Sequence, residues 1–521
     1  MLSREAVVKA FYDKYCIPTI KRLENPAAAQ QRCLRRILKR CKDTVFGKKH
    51  SFADIKSIED FQREVPITTY EDMKLYTARC IQGEENILFP DKTVSLVMTG
   101  GTAGSPKLYP LSSYRVEEIV MDGLRAGAYS VVHSGHYDVM DGKILVLTTP
   151  PRLGDGVGGY DVAFMTGALG AAQLPPQLQR YQSSDEPRRV PPREVDKITD
   201  WDKKFYITAR YAVAEDIRSA AGLTSNTVSL LRKIKAEYLD RLLEDPELDN
   251  ETKVKLRKIS QDGIVDLQEL WPNFRIFSSG GVSITPYRRI IHDLLGDVSI
   301  WESYGATEAS LGFQVFADKG IIPPVDTTFF EFIPDEEEGA EPIPLSDVKQ
   351  DTLYRVLVTT NGGFYRYAIG DIITFSELDP PVYGEISRKG ALVSLAGERM
   401  SEEVILRALD RACEQHGIGF VEFALLPEVT SSFSRYLIFV EFTQPPSDLE
   451  EFTAVVDEQL IHLNMSYAPQ RQANVISLPV IIKVKPGGFE SLLQKQEKVL
   501  GSGKVPHLLT PELSRLLPTL N

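Results

Sequence analysis

The sequence predicts an α/β protein in which a large N-terminal domain of mixed sheets and helices precedes a smaller, mobile α+β C-terminal domain. Two observations lead there. Short β-rich runs alternate with helix-period segments through the middle of the chain. Pro380-Pro381 and glycines 384, 390 and 397 then break the texture, after which the pattern restarts on a smaller scale. At 521 residues there is chain for two to four domains of roughly 100–200 residues each.

In order, apolar residues recur at helical spacing from Glu5 to Cys41 (Val8, Phe11, Tyr12, Tyr15, then Leu34, Ile37, Leu38), which predicts surface-packed helices. Strands are expected at 93–98 and 143–149, a long helical stretch over 223–249, then strand 274–278, helix 287–295 and strand 298–304. Three short strands, 352–360, 364–367 and 371–375, close a sheet. From Glu402 the chain reads helix, strand 420–426, strand 436–442, helix 448–463, strand 475–485 and helix 489–500.

With 43% hydrophobic and 25% charged residues, neither disorder nor a fibrous repeat is indicated. A net charge of −12 repels phosphate backbones and anionic lipid, and no local basic patch offsets it, so neither nucleic acid nor membrane is an expected partner. The apolar run 475–484 is about half of the ~18 residues a membrane span needs and is broken by Pro479. The N-terminus lacks a secretory apolar core, which makes a cytoplasmic protein the expectation. The five cysteines have no metal-binding spacing and are read as reduced thiols. His133 and His136 have no nearby Cys or Glu to complete a zinc site. A monomer is expected.

Four segments carry chemistry. In Thr99-Gly100-Gly101-Thr102-Ala103-Gly104-Ser105-Pro106-Lys107, three glycines let the backbone approach a bulky anion, Thr99 and Thr102 offer hydroxyls, and Lys107 supplies charge. This suits a phosphate cradle, though not a Walker loop, because Pro106 precedes the lysine and no Ser or Thr follows it. Trp301–Glu308 ends a β-rich run in a turn with the ring of Tyr304, the hydroxyl of Thr307 and the carboxylate of Glu308, a set able to stack, to hold phosphate and to ligate magnesium. In Tyr365–Asp371 an aspartate follows Gly370 at a strand start, either a simple turn residue or an acceptor for two ribose hydroxyls. Gly501-Ser502-Gly503-Lys504 places a lysine on a glycine tether. Gly154–Gly159 has dinucleotide-loop spacing, but prolines separate it from its strand, and a loop beside a substrate pocket is the better reading.

These segments, in this order, resemble the adenylate-forming superfamily: its phosphate loop, its Tyr-Gly-x-Thr-Glu motif at Tyr304–Glu308, its Tyr-Arg-x-Gly-Asp motif with one extra residue at Tyr365–Asp371, its hinge at 388–398, and its terminal lysine at Lys504. Leu270-Trp271-Pro272-Asn273, 329–334 (FFEFIP) and 358–367 (VTTNGGFYRY) resemble the plant Gretchen Hagen acyl acid amido synthetases. The resemblance covers about residues 30 to 510. The phosphate loop is one residue shorter than the usual plant form, and Ala306-Thr307-Glu308 stands where Ser-Ser-Glu is common. Both departures leave the nucleotide residues in place and the acceptor open.

The resemblance implies a domain of residues 1–387 that binds ATP and a carboxylic acid, a hinge at 388–398 and a swivelling domain at 399–521. It implies that Mg²⁺ is held by Glu308, that Thr99, Gly100, Gly101, Thr102 and Lys107 grip the phosphates, that Thr307 contacts the α-phosphate, and that Ser279, Gly280, Gly281, Tyr304, Asp371 and Arg388 complete the nucleotide site. Lys504 would be catalytic in forming an acyl-adenylate, with an amine, in the plant branch an amino acid, as acceptor. An acyl-CoA or carrier-protein ligase shares the first step, and a silent nucleotide-binding scaffold is the reading of another class. Residues between Arg115 and Phe164 and the 206–217 region, with Arg210 and Tyr211, are expected to line the acid pocket.

Overall fold

The computed structural model describes residues 3–99, 107–153, 155–171, 188–281, 284–285, 287–335, 339–388, 393–489, 491–492 and 507–520. Among the described residues two compact units emerge, the first comprising residues up to 388 apart from Asp200–Asp202, the second those three residues together with the chain from 393 on.

The first unit is organised on a seven-stranded sheet. Five neighbours run parallel, β5 (Arg189–Val190), β3 (Lys143–Leu147), β6 (Ile217–Leu223), β9 (Ile276–Gly280) and β10 (Ser299–Gly305), and antiparallel β11 (Ser310–Gln314) and β12 (Ile321–Ile322) complete one edge. Parallel neighbours need crossovers, and helices supply them. Helix Thr224–Ala236 follows β6 and is buried along almost its whole length. Helix Arg288–Leu295 links β9 to β10, burying Ile290, Ile291, Leu294 and Leu295 at helical spacing. Leu147, Gly222, Ser279 and Glu302 stand side by side across four strands, so those strands end at one level. Within the crossover from β6 to β9, β7 (Ser260–Gln261) and β8 (Ile264–Val265) form a small ribbon.

A second, wholly antiparallel sheet runs β14 (Ile343–Pro344), β13 (Phe329–Pro334), β15 (Tyr354–Thr359), β16 (Tyr367–Leu378), β17 (Pro381–Arg388). A third pairs β1 (Thr93–Thr99) antiparallel with β2 (Lys107–Ser112) and parallel with β4 (Val162–Ala163).

Three expectations need correction. The segments 364–367 and 371–375 are not separate strands: β16 is continuous, and Gly370 at φ +84° sits where the β15–β16 register shifts, so the chain bulges rather than turns. The helical stretch 223–249 breaks at Glu237-Tyr238 into Thr224–Ala236 and Leu239–Glu244. Strand β3 stops at Leu147, because the Thr148 carbonyl accepts from the buried Lys204 ammonium at 2.8 Å instead of from a neighbouring strand.

Charge is buried as well as apolar surface. Arg366, at φ +46°, donates through Nε to both oxygens of Glu331 (3.2 and 3.0 Å) and through Nη1 to the carbonyls of Gln62 and Val65 (2.8 and 2.7 Å). Elsewhere Asp122, on helix Ser113–Ser134, faces Arg125 at 3.4 Å, and Arg125 also reaches Asp326 at 3.5 Å. Burial pushes the Asp122 carboxyl up to about 6, Arg125 offsetting this in part. An acid whose folded pKa is raised contributes stability below its unfolded pKa of about 3.9 and loses it as pH rises through the folded value. The first unit is therefore expected to lose on the order of 2–3 kcal/mol from this group between pH 4 and 7, and Asp122→Asn to flatten that slope in urea melts. Equal slopes in the two proteins would refute the assignment.

In the second unit, helix Glu402–His416 and helix Leu449–Leu463 pack together beside a sheet ordered β18 (Phe420–Val429), β19 (Ser434–Phe442), β20 (Val480–Lys483), with β19–β20 parallel. The last strand is shorter than 475–485 because the Val475 and Ile476 amides turn back to the Gln470 carbonyl. The helix expected over 489–500 lies mostly outside the described residues. All five cysteines, Cys16, Cys33, Cys41, Cys80 and Cys413, are buried and unpaired, and burial raises their thiols to about 11–12. No helix of the described residues is long and apolar enough to cross a membrane.

Candidate functional site

In open α/β sheets, ligands bind at the carboxyl ends of the parallel strands, and that edge carries Ser279, Gly280, Gly281, Tyr304, Thr307 and Glu308 among the sequence-derived candidates. Strand β9 ends in Ser279-Gly280, followed by Gly281. Gly281 sits at φ +84°, and a Cβ there would stand 2.4 Å from Leu223 Cδ2, so the backbone turns tightly against the end of β6. The hydroxyls of Ser279 and Thr224 share a 2.6 Å hydrogen bond, the Gly280 amide donates to Thr224 Oγ1 at 3.2 Å, and the Ser303 hydroxyl donates to the Ser279 carbonyl at 2.9 Å.

One strand over, β10 carries Tyr304 and ends at Gly305; a turn closed by the Ala306 amide on the Ala309 carbonyl (3.0 Å) then leads into β11. Thr307 and Glu308 occupy that turn, Thr307 half-buried and Glu308 buried. Glu308 points inward to Tyr109 of β2, whose hydroxyl also lies 2.8 Å from that of Tyr367 on β16. Burial first, then the Glu308 and Tyr367 neighbours, push the Tyr109 phenol far up, so it stays a neutral hydrogen-bonding group.

Asp371 is not at a strand start. It is buried within β16 just after the bulge, accepts a 2.5 Å hydrogen bond from the Tyr304 hydroxyl, and pairs across the ladder with Arg388. Thr99 and Lys107 face each other at the end of the β1–β2 pair joined through residues 100–106, and the Lys107 ammonium lies 5.5 Å from the Tyr70 ring centre. The structure thus links Ser279–Gly281, Tyr304, Glu308 and Asp371 through hydrogen-bonded neighbours, with Thr307 on the same turn. Gly100, Gly101, Thr102 and Lys504 lie outside the described residues, and of Arg388 only the backbone is described. In the segment following Arg388, Glu398 is buried in the second unit and accepts from the amides of Leu395 and Ala396 (2.8 and 2.6 Å) and from the Tyr436 hydroxyl.

Of the residues expected near the acid pocket, Arg210 pairs with Glu247 at 2.6 Å and Asp245 at 3.8 Å, and Tyr211 is exposed. The 155–160 part of the glycine-rich decoy is a small hairpin held by Val157 and Tyr160 through a reciprocal pair of 3.0 Å backbone bonds.

Three family models match the chain in order: the GH3 family N-terminal domain over residues 20–237, its central domain over 322–382 and its C-terminal domain over 403–512. The chain belongs to the GH3 family. This GH3 chain is 24% identical to indole-3-acetic acid-amido synthetase GH3.15 of Arabidopsis thaliana over 502 residues, covering 84% of this chain and 82% of that one. It is likewise 24% identical to jasmonoyl-L-amino acid synthetase JAR4 of Nicotiana attenuata over 487 residues, 83% of this chain and 82% of that one. A solved GH3.15 acyl acid amido synthetase superposes with a TM-score of 0.62 at 19% identity, over 97% of this chain and 96% of the other, which shows a shared fold.

Sequence reasoning missed Thr224, Tyr109 and Tyr367 in this GH3 site. For Thr224 there was a signal: Gly222-Leu223-Thr224-Ser225-Asn226-Thr227 ends a strand-like run in hydroxyls and an amide, side chains that donate and accept hydrogen bonds. For the tyrosine pair there was none, because their partners are distant in sequence.

Proposed function

We propose that this GH3 chain is an ATP-dependent ligase that activates a carboxylic acid as an acyl-adenylate and transfers the acyl group to an amine, most simply an amino acid. What supports the reading is the assembly of a tight backbone turn (Ser279–Gly281), the hydroxyl of Thr307 and the buried carboxylate of Glu308 at the carboxyl edge of the parallel sheet, with the buried Asp371 of the second sheet tied to that edge through Tyr304, in the family whose relatives are amido synthetases.

A carboxylate is a poor electrophile because its leaving group is oxide. Its oxygen attacks the α-phosphorus of ATP, the bond to the β-phosphate breaks, and pyrophosphate leaves. The amine nitrogen then attacks the acyl carbon, the bond to AMP breaks with its electron pair going to AMP, and the nitrogen gives up a proton. Asp371 accepts the ribose hydroxyls once Tyr304 turns aside, while the Ser279–Gly281 turn faces adenine. Thr99, Thr102 and the loop backbone through Gly100 and Gly101, with Lys107, grip the β- and γ-phosphates, Thr307 holds the α-phosphate, and Arg388 borders the nucleotide.

The donor set fits Mg²⁺, which takes one or two carboxylates and completes its shell with phosphates and water. Glu308 is such a carboxylate, and among the described residues no group of three His, Cys, Asp or Glu side chains gathers to favour another metal. Bound there, Mg²⁺ would neutralise phosphate charge; Tyr109 keeps Glu308 aimed.

Pyrophosphate release should depend on the acid supplied, with amide detected by mass spectrometry when amino acids are present. A thioester formed only with a thiol acceptor would move the chain to the acyl-CoA or carrier-protein class, and no release with any acid in a broad panel would favour a silent scaffold. Asp371→Ala is expected to raise the KM for ATP by about tenfold to a hundredfold, the worth of hydrogen bonds to a charged acceptor, with a smaller change in kcat. An unaltered KM for ATP would remove Asp371 from the ribose site.

A further inference from the structure

The second unit contains a cluster that the proposed chemistry leaves unused. His507 Nδ1 lies 2.9 Å from Glu402 Oε1, its Nε2 lies 2.9 Å from Glu422 Oε1, and its ring stacks on Phe423 with centroids 4.6 Å apart and planes 18° from parallel. The carboxylates come from different elements, Glu402 from the first turn of helix Glu402–His416 and Glu422 from β18. The backbone is tied down too. The Leu425 amide donates to the His507 carbonyl and the Leu509 amide to the Leu425 carbonyl, both at 2.8 Å, so residues 507–509 lie parallel beside β18.

Imidazole in its neutral form has one N–H, whereas the imidazolium donates from both nitrogens. A ring held at equal distances by two carboxylates has an acceptor facing each of its nitrogens. This arrangement fixes one point of the C-terminal chain to a helix and a strand at once. Three residues before that point stands Lys504, and three residues of chain reach at most about 11 Å.

We infer that His507 is a positioning residue for Lys504: the clamp formed by Glu402, Glu422 and Phe423 anchors to the second unit the chain from which the lysine is delivered. The inference rests on the ligase reading and on the adenylation role that the superfamily resemblance implies for Lys504, which lies outside the described residues. A tethered cation stabilises the charge developing on the α-phosphate only if its position is held beforehand, since ordering a loose segment during the reaction would offset the gain.

The test uses the full chain and times the two half-reactions separately: pyrophosphate release with ATP and acid, and amide formation from a supplied acyl-adenylate and amine. His507→Ala is expected to lower kcat for pyrophosphate release about tenfold, the worth of a charge-assisted hydrogen bond, with the KM values for ATP and acid, the amide-forming rate and the melting temperature little changed. His507→Arg, which can donate to both carboxylates, should recover most of the loss. A wild-type kcat in His507→Ala, or an equal loss in both half-reactions, overturns the inference. If His507→Ala folds poorly, Glu422→Gln removes one charge without opening a cavity, and a folded Glu422→Gln with undiminished pyrophosphate release overturns it equally. An active wild type with an indifferent His507 variant sinks this inference alone, whereas a wild type that releases no pyrophosphate with any acid sinks the ligase reading and the inference with it.

Discussion

Lys504→Ala is expected to lower acid-dependent pyrophosphate release by roughly 10²–10³-fold while leaving nucleotide binding nearly unchanged, as when a donor that acts mainly in the transition state is removed. The reason lies in where charge builds. As the carboxylate attacks, negative charge grows on the α-phosphoryl oxygens, and a lysine poised there stabilises that state more than bound ATP. The loss should therefore fall on kcat with KM values nearly unmoved. Amide formation from a supplied acyl-adenylate should survive, because phosphoryl charge no longer develops in that step. A variant that retains a tenth or more of wild-type release would place the decisive positive charge elsewhere, with Lys107 the next residue to replace.

The motifs near this chemistry were legible because each is local. Glycines, hydroxyls and a carboxylate within one turn announce their use in a few residues, as at Thr307-Glu308, and the alternation of strands and helices gave the α/β class from periodicity alone. The misreadings arose where the deciding partner is far away in sequence. Gly370-Asp371 looks like a turn in isolation, and only the β15 ladder shows that it is a bulge inside a strand. Tyr109 meets Tyr367 across 258 residues, and no local pattern encodes that distance.

Glu331→Ala is expected to destabilise the first unit by about 3–5 kcal/mol, the usual outcome when one member of a buried ion pair is removed and its partner stays charged. Both side chains are almost fully buried, and Arg366 spends its Nη1 donors on the Gln62 and Val65 carbonyls, so water has little room to compensate. The paired substitution Glu331→Leu with Arg366→Met should cost far less than Glu331→Ala, since exchanging a buried pair for apolar residues of similar size is often close to neutral. Urea melts of the three proteins measure the coupling. A loss below about 1 kcal/mol in Glu331→Ala would mean that the pair is solvated in practice. Because Arg366 stands five residues before Asp371 on the same stretch of chain, Glu331→Ala should also weaken ATP binding, linking the stability of this sheet to the nucleotide site.

The burial of every cysteine also bears on how the acceptor can be identified. A thiolate is the reactive species, and a buried thiol raised to about 11–12 holds almost none of it near neutrality. Ellman's reagent added to the folded protein should therefore register coenzyme A or a carrier thiol against a nearly blank background, so consumption of a thiol acceptor can be followed directly. The same silence makes maleimide labelling a clock for unfolding: each thiol that becomes reactive marks the opening of the helix or strand that had covered it.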